Sequence, residues 1–247
     1  VETIAIISDI HGNRWALERV LEDIYTRGIN KIFNLGDSLY GPLDPAGTAE
    51  ILMKKNVVSI SGNEDRIIHE NGEMATNSPT LNYVRENLNR EHILWLKSLK
   101  MAKSIAGDFL LCHGTPFKDN EYLLHQVNST GLFLRSVEDL KKLVGNRPEK
   151  IILCGHDHLP NVVSLDQNQT VINPGSVGLQ AYQDDLPFVH SVENGSPNSR
   201  YSIIFPQESG IKVEQVLLQY DFITASEEAK KNKREDWSHW LKTGRAL

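Results

Sequence analysis

The sequence predicts an α/β fold in which helix-linked parallel strands come first and antiparallel strands follow. Three observations carry that prediction. The chain opens on an Ile-rich run, Ile4-Ala5-Ile6-Ile7, that passes into a polar loop with Gly12 and Asn13, which reads as a buried strand rather than a helix. A segment of helical period and a second apolar run ending at Leu35 complete a βαβ unit within about 30 residues, the length such a unit needs. Beyond Asn161, short apolar runs succeed one another with no helical segment between them, which argues for antiparallel pairing.

The elements follow in order. Apolar residues from Trp15 to Ile24 recur at helical spacing, and Gly28 stands where that helix would end. Lys31-Ile32-Phe33-Asn34-Leu35 is a second strand and runs into Gly36-Asp37-Ser38. Asp44-Pro45 supplies an N-cap and a first-turn proline for a helix through Lys54. Val57-Val58-Ser59-Ile60 is a third strand, followed by Ser61-Gly62-Asn63-Glu64-Asp65. Residues 66–100 read as a helical excursion broken at Asn77-Ser78-Pro79, with the stretch from Thr80 through Leu99 packed beside the sheet. Phe109-Leu110-Leu111-Cys112 is a fourth strand ending at His113-Gly114, and residues 117–132 are irregular. Ser136 caps a helix to Val144, which Gly145 ends, and Lys150 to Cys154 is a fifth strand ending at Gly155-His156-Asp157-His158.

Later strands are expected at residues 161–165, 170–172, 201–205 and 212–219, with 184–200 as a long surface loop. The tail from about residue 226 reads as a charged, solvated helix, and its run Lys230-Lys231-Asn232-Lys233-Arg234 as an exposed face. With no linker-like composition and no repeat, residues 1–247 are read as one domain.

Composition narrows the function. A formal charge of -6 argues against an extended nucleic-acid-binding surface, and no basic groove interleaved with aromatics suggests a nuclease. No apolar run approaches the roughly 20 residues that span a bilayer, so no membrane partner is expected. Cys112 and Cys154 each close an apolar run and are read as buried strand residues rather than a disulfide framework. With no leader-like segment before the first strand, a cytoplasmic location is the expectation. Nothing in the sequence bears on oligomeric state.

The chemistry lies at the strand ends. Five of them carry Asp9-Ile10-His11, Gly36-Asp37, Gly62-Asn63, His113-Gly114 and Gly155-His156-Asp157-His158. Singly, each has a plain explanation as a turn Asp, a left-handed Asn or a half-buried His. Together they offer carboxylates, an amide and four imidazoles at the carboxyl ends of strands, where α/β sheets bind ligands. That is enough for two mixed nitrogen and oxygen cation sites, and such donors suit Mn, Fe, Zn, Co or Ni better than Ca. One carboxylate can bridge two ions about 3.5–4 Å apart, as in two-metal hydrolases.

At these residues the sequence resembles the calcineurin-like metallophosphoesterases, from Ile4 to about Gly178, and within them the small bacterial and archaeal phosphodiesterase-type branch. Ser8-Asp9-Ile10-His11-Gly12-Asn13 and Asn173-Pro174-Gly175-Ser176 read like that branch. The resemblance implies a four-layer sandwich of two mixed sheets flanked by helices. It also implies two divalent transition metal ions, with manganese the first expectation. One would be held by Asp9, His11, Asp37 and His158, the other by Asp37, Asn63, His113 and His156, with Asp37 bridging. The activity expected is hydrolysis of phosphodiesters or nucleotide phosphoanhydrides, dinucleoside polyphosphates among them, by a hydroxide that the two metals generate. The partner would be a small phosphorylated, nucleotide-like substrate. The alternative is a metal-binding scaffold of the same fold without catalysis.

Three further residues complete the candidate site. Asn13 is placed to hydrogen-bond a phosphate oxygen or to stabilise its own turn, and Tyr40 to stack on a base or to pack. Many members of the resembled family have, directly after the Asn of the third motif, a His thought to protonate the leaving group. Glu64 stands there in this chain. A free Glu, with a pKa of about 4.3, is ionised at neutral pH and donates no proton unless its environment raises that value. His69, His125 and His190 are the other imidazoles that could take the role.

Overall fold

The computed structural model describes residues 2–70 and 78–246. The first sheet sets β1 (Ile4–Ile7), β2 (Lys31–Asn34) and β3 (Val57–Ser59) in parallel. β13 (Ser199–Gln207) runs antiparallel beside β1 and β14 (Gly210–Leu218) antiparallel beside β13, giving the order β14-β13-β1-β2-β3. The second sheet has the order β4 (Ala102–Ile105), β5 (Phe109–Cys112), β8 (Ile151–Leu153), β10 (Thr170–Asn173), β9 (Asn161–Ser164). Its central β5, β8 and β10 are parallel and both edges antiparallel. Both sheets are therefore mixed.

Alternation along the strands builds the layers. In β1, Ile4 and Ile6 enter a core shared with Phe109, Leu111, Ile151 and Leu153 of the second sheet. Ala5 and Ile7 face the opposite way, onto Leu17, Val20 and Ile24 of α1 (Arg14–Thr26). In β5 and β8, Leu110, Cys112 and Ile152 turn outward onto Leu140 and Val144 of α6 (Val137–Val144). Strands buried on both faces read as unbroken apolar runs, which is why these were visible in the sequence. The result is the expected order of layers, helices, sheet, sheet, helix. Asp44 caps α2 (Pro45–Lys54) by accepting from Gly47 N–H at 2.8 Å, and Ser136 caps α6, both as expected. Both cysteines are fully buried. Among the described residues no helix is long and apolar enough to cross a membrane.

Several elements differ from the expectation. The excursion begins earlier, with α3 (Asn63–His69), and part of the stretch read as helical, residues 71–77, lies outside the described residues, as does Asn77 of the expected break. Residues 80–99 form two helices, α4 (Pro79–Asn87) and α5 (Arg90–Ser98), because Asn89 caps the second by accepting from His92 N–H at 3.0 Å. Two hairpins overlap residues 117–132, expected to be irregular, and 184–200, expected to be a surface loop: β6 (His125–Asn128) with β7 (Gly131–Leu134), and β11 (Ala181–Asp184) with β12 (His190–Glu193). β10 pairs with its hairpin partner β9 as expected but lies parallel to β8, because β9 takes the outer edge.

The tail departs most. It forms α7 (Phe222–Lys231) and α8 (Glu235–Thr243), which pack on the outer face of the first sheet and bury Ala225, Ala229, Trp237, Trp240 and Leu241 in the same core as α1. Lys230, Lys231 and Lys233 are exposed, as expected of the basic run, but Arg234 is half-buried. Leu241→Ala is expected to destabilise the protein by about 2–5 kcal/mol in urea unfolding, the range for a truncated core leucine. A solvated tail would show less than about 0.5 kcal/mol.

Candidate metal centre

The carboxyl ends of β1, β2 and β3 and those of β5 and β8 point to one edge of the sandwich, and their loops are cross-linked. Asp9 N–H donates to Gly36 carbonyl at 3.0 Å, His11 N–H to Asp37 carbonyl at 3.0 Å, and Gly155 N–H to His113 carbonyl at 2.7 Å. The segment from Asn173 to Gly178 clamps the first loop from behind. Ser176 Oγ–H and Gly178 N–H both donate to the carbonyl of Asp9, at 2.8 and 3.0 Å. Close approach requires glycine at two places. A Cβ on Gly62 would stand 2.1 Å from Asp37 Oδ1, and one on Gly155 2.1 Å from Ser8 Oγ.

Seven non-glycine residues among those described have positive φ, and five are Asp9, His11, Asp37, His156 and His158, with values from 49° to 72°. Asp and His tolerate this region better than most residues, yet its concentration here marks a functional constraint rather than a turn preference.

The side chains converge. Ligand atoms of Asp9, His11 and His158 lie within 4.8 Å of one another, and so do those of Asp37, His113 and His156. A third such group joins His11, Asp37 and Glu64, so Asp37 is within reach of residues from both of the expected sites. Three rings are oriented from outside. Nδ1–H of His11 donates to Tyr40 carbonyl at 2.9 Å, that of His113 to Leu35 carbonyl at 2.8 Å, and that of His158 to Leu179 carbonyl at 2.8 Å. A carbonyl can only accept, so the proton sits on Nδ1 and the Nε2 lone pair faces the centre, as in metal-ligating histidines generally.

Two observations test the fit of a cation. Nε2 of His11 and Nε2 of His158 are 3.1 Å apart with both Nδ1 protons already committed, a contact that needs a proton or cation to be favourable. Asn63 Oδ1 is buried with no hydrogen-bond donor among the described residues, the cost of which a coordinated ion would relieve. The donors fit the group.

Charge at the centre is mutually stabilised. Burial pushes the Asp37 carboxyl up, but the attraction of His113, whose Nε2 is 3.0 Å from Oδ2, holds it well below the usual carboxylate range. Asp9 is likewise lowered against its burial, chiefly by His158 at 3.4 Å. Burial lowers His113, yet Asp37 raises it to about 10, and Glu64 with Asp37 raises His11 to about 9 against the same penalty. His156 falls to about 4 through burial and the neighbouring His113 charge. The carboxylates draw positive charge into the pocket, and in a loaded site cations would take the place of these protons.

Known proteins match the chain in sequence and fold. A family profile described as a calcineurin-like phosphoesterase superfamily domain matches residues 3–194. The chain belongs to that superfamily. Over 260 aligned residues, 95% of this chain and 94% of the other, it is 30% identical to the uncharacterised protein MJ0912 of Methanocaldococcus jannaschii. The fold is similar to that of a metallophosphoesterase from Sphaerobacter thermophilus, with a TM-score of 0.75 at 22% identity, covering 98% of this chain and 100% of that one. It is also similar to the hypothetical protein PH1004 from Pyrococcus horikoshii, with a TM-score of 0.72 at 19% identity, covering 100% of both chains. A calcineurin-like phosphoesterase is a hydrolase of phosphoester bonds that uses divalent metals, and this member has the donors for them.

In this calcineurin-like chain His11, Asp37, Asn63, His156, His158, Tyr40 and Glu64 line a cleft of about 300 Å³, while Asp9 and His113 are buried beneath it. For Asn13 the substrate-binding role is corrected, and the turn-stabilising one stands. The residue is fully buried, its Oδ1 caps α1 by accepting from Ala16 N–H at 3.1 Å, and its Nδ2 donates to Gly178 carbonyl and Tyr220 Oη, so nothing remains for a phosphate. Tyr40 packs between two cores, and its hydroxyl lies 3.1 Å from Ser78 Oγ. Glu64 is not freely exposed, as its position in a loop had suggested. Its Oε2 lies 3.2 Å from His11 Nδ1, and burial, followed by the Asp37 charge, raises its pKa. None of His69, His125 and His190 lines the cleft. His125 is bound to Asp157 at 2.8 Å and His190 to Tyr122 Oη at 3.1 Å.

Sequence reasoning missed the residues that hold the site together. Tyr122 packs at a tilt against His156 and Tyr182 edge-on against His158, each with ring centroids 4.7 Å apart, and their hydroxyls meet at 2.5 Å. Asp65 is wholly buried and accepts from Ser38 N–H at 2.9 Å, Leu39 N–H at 3.2 Å and Gly62 N–H at 3.3 Å, tying the Asp37 loop to the start of α3. Burial, then Asp37, pushes its carboxyl up to about 7. Asp65→Ala orphans those donors, at about 1–3 kcal/mol for each buried group left unsatisfied. It is expected to lower both the urea midpoint and the metal content after dialysis. Unchanged metal content would limit Asp65 to a fold role.

Proposed function

We propose that the chain is a dinuclear, metal-dependent phosphoesterase that hydrolyses phosphodiesters or nucleotide phosphoanhydrides, dinucleoside polyphosphates among them. The observation that supports this reading best is the pair of adjacent donor groups, Asp9-His11-His158 and Asp37-His113-His156, at the floor of an open cleft. Asp37 would bridge the two sites, and Asn63 would complete the second. Manganese is the first choice of metal, with Fe, Zn, Co and Ni compatible with the same nitrogen and oxygen donors. When bound, two such ions acidify a water and neutralise charge on the phosphoryl oxygens.

The chain's own residues supply positioning. Carbonyl-anchored imidazoles keep their Nε2 atoms aimed at one place, so the geometry needs little reorganisation as charge develops on the substrate. No serine or cysteine nucleophile is required, and the buried thiols are unsuited to one, since burial pushes Cys112 up to about 12. The complete donor set supports this reading over a non-catalytic scaffold of the same fold.

The first test is metal itself. Purified protein incubated with manganese and dialysed is expected to hold about two equivalents, Asp37→Ala to lose affinity at both sites, and His158→Ala at one. Elemental analysis that finds no retained transition metal would end the proposal. Activity should then appear in a panel of phosphomonoesters, diesters, cyclic nucleotides and dinucleoside polyphosphates.

The second test concerns Glu64. Burial raises the Glu64 pKa, but His11, whose Nδ1 is 3.2 Å from Oε2, favours the ionised form, which donates no proton, and general acid catalysis is worth roughly 10²–10⁴-fold. The rate should therefore fall steeply as leaving-group pKa rises, favouring nucleotide anhydrides and aryl diesters over alkyl monoesters. Glu64→His should flatten the dependence of kcat/KM across an aryl and alkyl series. Equal slopes for the two proteins would show that a proton is already supplied.

A further inference from the structure

A second and larger cavity, about 650 Å³, opens beside the candidate metal centre. Its walls include Asn63, Tyr122, His156 and Asp184, all of which also line the first cleft, so the two spaces meet over the same donors. The hairpins β6–β7 and β11–β12 and the segment leading into β6 form the rest. Nothing in the metal chemistry requires this second lobe. A phosphomonoester would have its phosphorus at the donors and its one organic group in one lobe, leaving the other unused.

The second lobe has the chemistry of a phosphate subsite. Arg135 lines it with its side chain only 18% exposed, and its Nε–H is buried without an acceptor among the described residues. Its Nη2–H donates to Tyr122 carbonyl at 3.4 Å, and the nearest carboxylate oxygen, on Glu121, is 3.9 Å away, too far for a hydrogen bond. A largely buried guanidinium with no carboxylate in hydrogen-bond range is stabilised when an anion meets the N–H groups it turns to the lobe, and a phosphate oxygen matches their geometry. Lys118, Asn120 and Gln126 add donors on the same walls. The carboxylates that line the lobe, Glu121 and Asp184, leave Arg135 without a close partner, and Lys118 Nζ takes Glu121 at 3.2 Å. Leu186 and Pro187 provide an apolar edge against which a base could lie.

We propose that this lobe binds the second, phosphate-bearing arm of a two-armed nucleotide substrate, with Arg135 as its anion contact, so that the scissile phosphorus lies between two occupied lobes. The assignment rests on the phosphoesterase reading for the position of the phosphorus, but the subsite itself is independent of turnover.

The test separates the two. Wild type, Arg135→Ala and Arg135→Lys, each loaded with manganese, are compared for kcat/KM on diadenosine tetraphosphate and on bis(p-nitrophenyl) phosphate, which has no second phosphate. ADP binding is measured on the same three proteins by calorimetry, and thermal unfolding checks that each is folded. Arg135→Ala should lose about tenfold or more on the tetraphosphate and in ADP affinity, and less than about twofold on the aryl diester, with Arg135→Lys between. Equal losses on both substrates, or ADP binding that Arg135→Ala leaves unchanged, would overturn the subsite. A wild type that turns over neither substrate would sink the phosphoesterase reading instead, while calorimetry would still decide the subsite.

Discussion

Left-handed turns at the ends of β1, β2 and β8 set the terms for the whole site. Each such residue costs of order 1–3 kcal/mol, so five of them rival the net stability of a typical domain. They persist because the loops bond to one another rather than to solvent. Asp9 is the most heavily held, with its N–H on Gly36 carbonyl, its carbonyl accepting from Gly178 N–H and Ser176 Oγ–H, and its carboxylate accepting from His156 N–H at 3.2 Å. Every one of those partners belongs to a different loop from its own. The turn bends each donor inward, and the cross-links keep it there.

That arrangement explains why two sheets are needed. A single parallel sheet could place Asp9, Asp37 and Asn63 along one edge, as β1, β2 and β3 do. The imidazoles of His113, His156 and His158 arrive from β5 and β8, across the shared core of Ile4, Ile6, Leu111 and Leu153. The apolar packing between sheets thus sets the distance between oxygen-rich and nitrogen-rich halves of the centre. An outer layer of aromatic rings, Tyr122 on His156 and Tyr182 on His158, limits how far the imidazoles can tilt.

Legibility in the sequence followed burial. Strands such as Ile4–Ile7 and Phe109–Cys112 are buried on both faces and stood out as apolar runs, and the donors were found because they directly follow those runs. The hairpins were not legible, since His125–Asn128 and Ala181–Asp184 are partly exposed and carry no run or clean alternation. Asp65 resembles any acid in the first turn of a helix, and only the fold shows that its carboxylate reaches back to Ser38 and Leu39. In the tail a signal was present. Trp237, Trp240 and Leu241 recur at i, i+3 and i+4, the spacing of a buried helical face, but the surrounding charges outweighed it. Asn13 is the opposite case, a polar residue beside the site whose Oδ1 is spent on the helix it begins and whose Nδ2 is spent on Gly178 and Tyr220.

The strand order has a consequence for the chain as it leaves the ribosome. β1 is made well before the neighbour that covers its free edge, β13, which begins at Ser199. While the segment between β1 and β13 is made, at roughly 5–20 residues per second, the sheet that bears Asp9, Asp37 and Asn63 therefore has an unpaired apolar strand at its border. Such a border invites pairing with another nascent chain. All seven expected ligands are synthesised before the first sheet is closed, and α8, which walls the cleft with Trp237 and Trp240, comes later still.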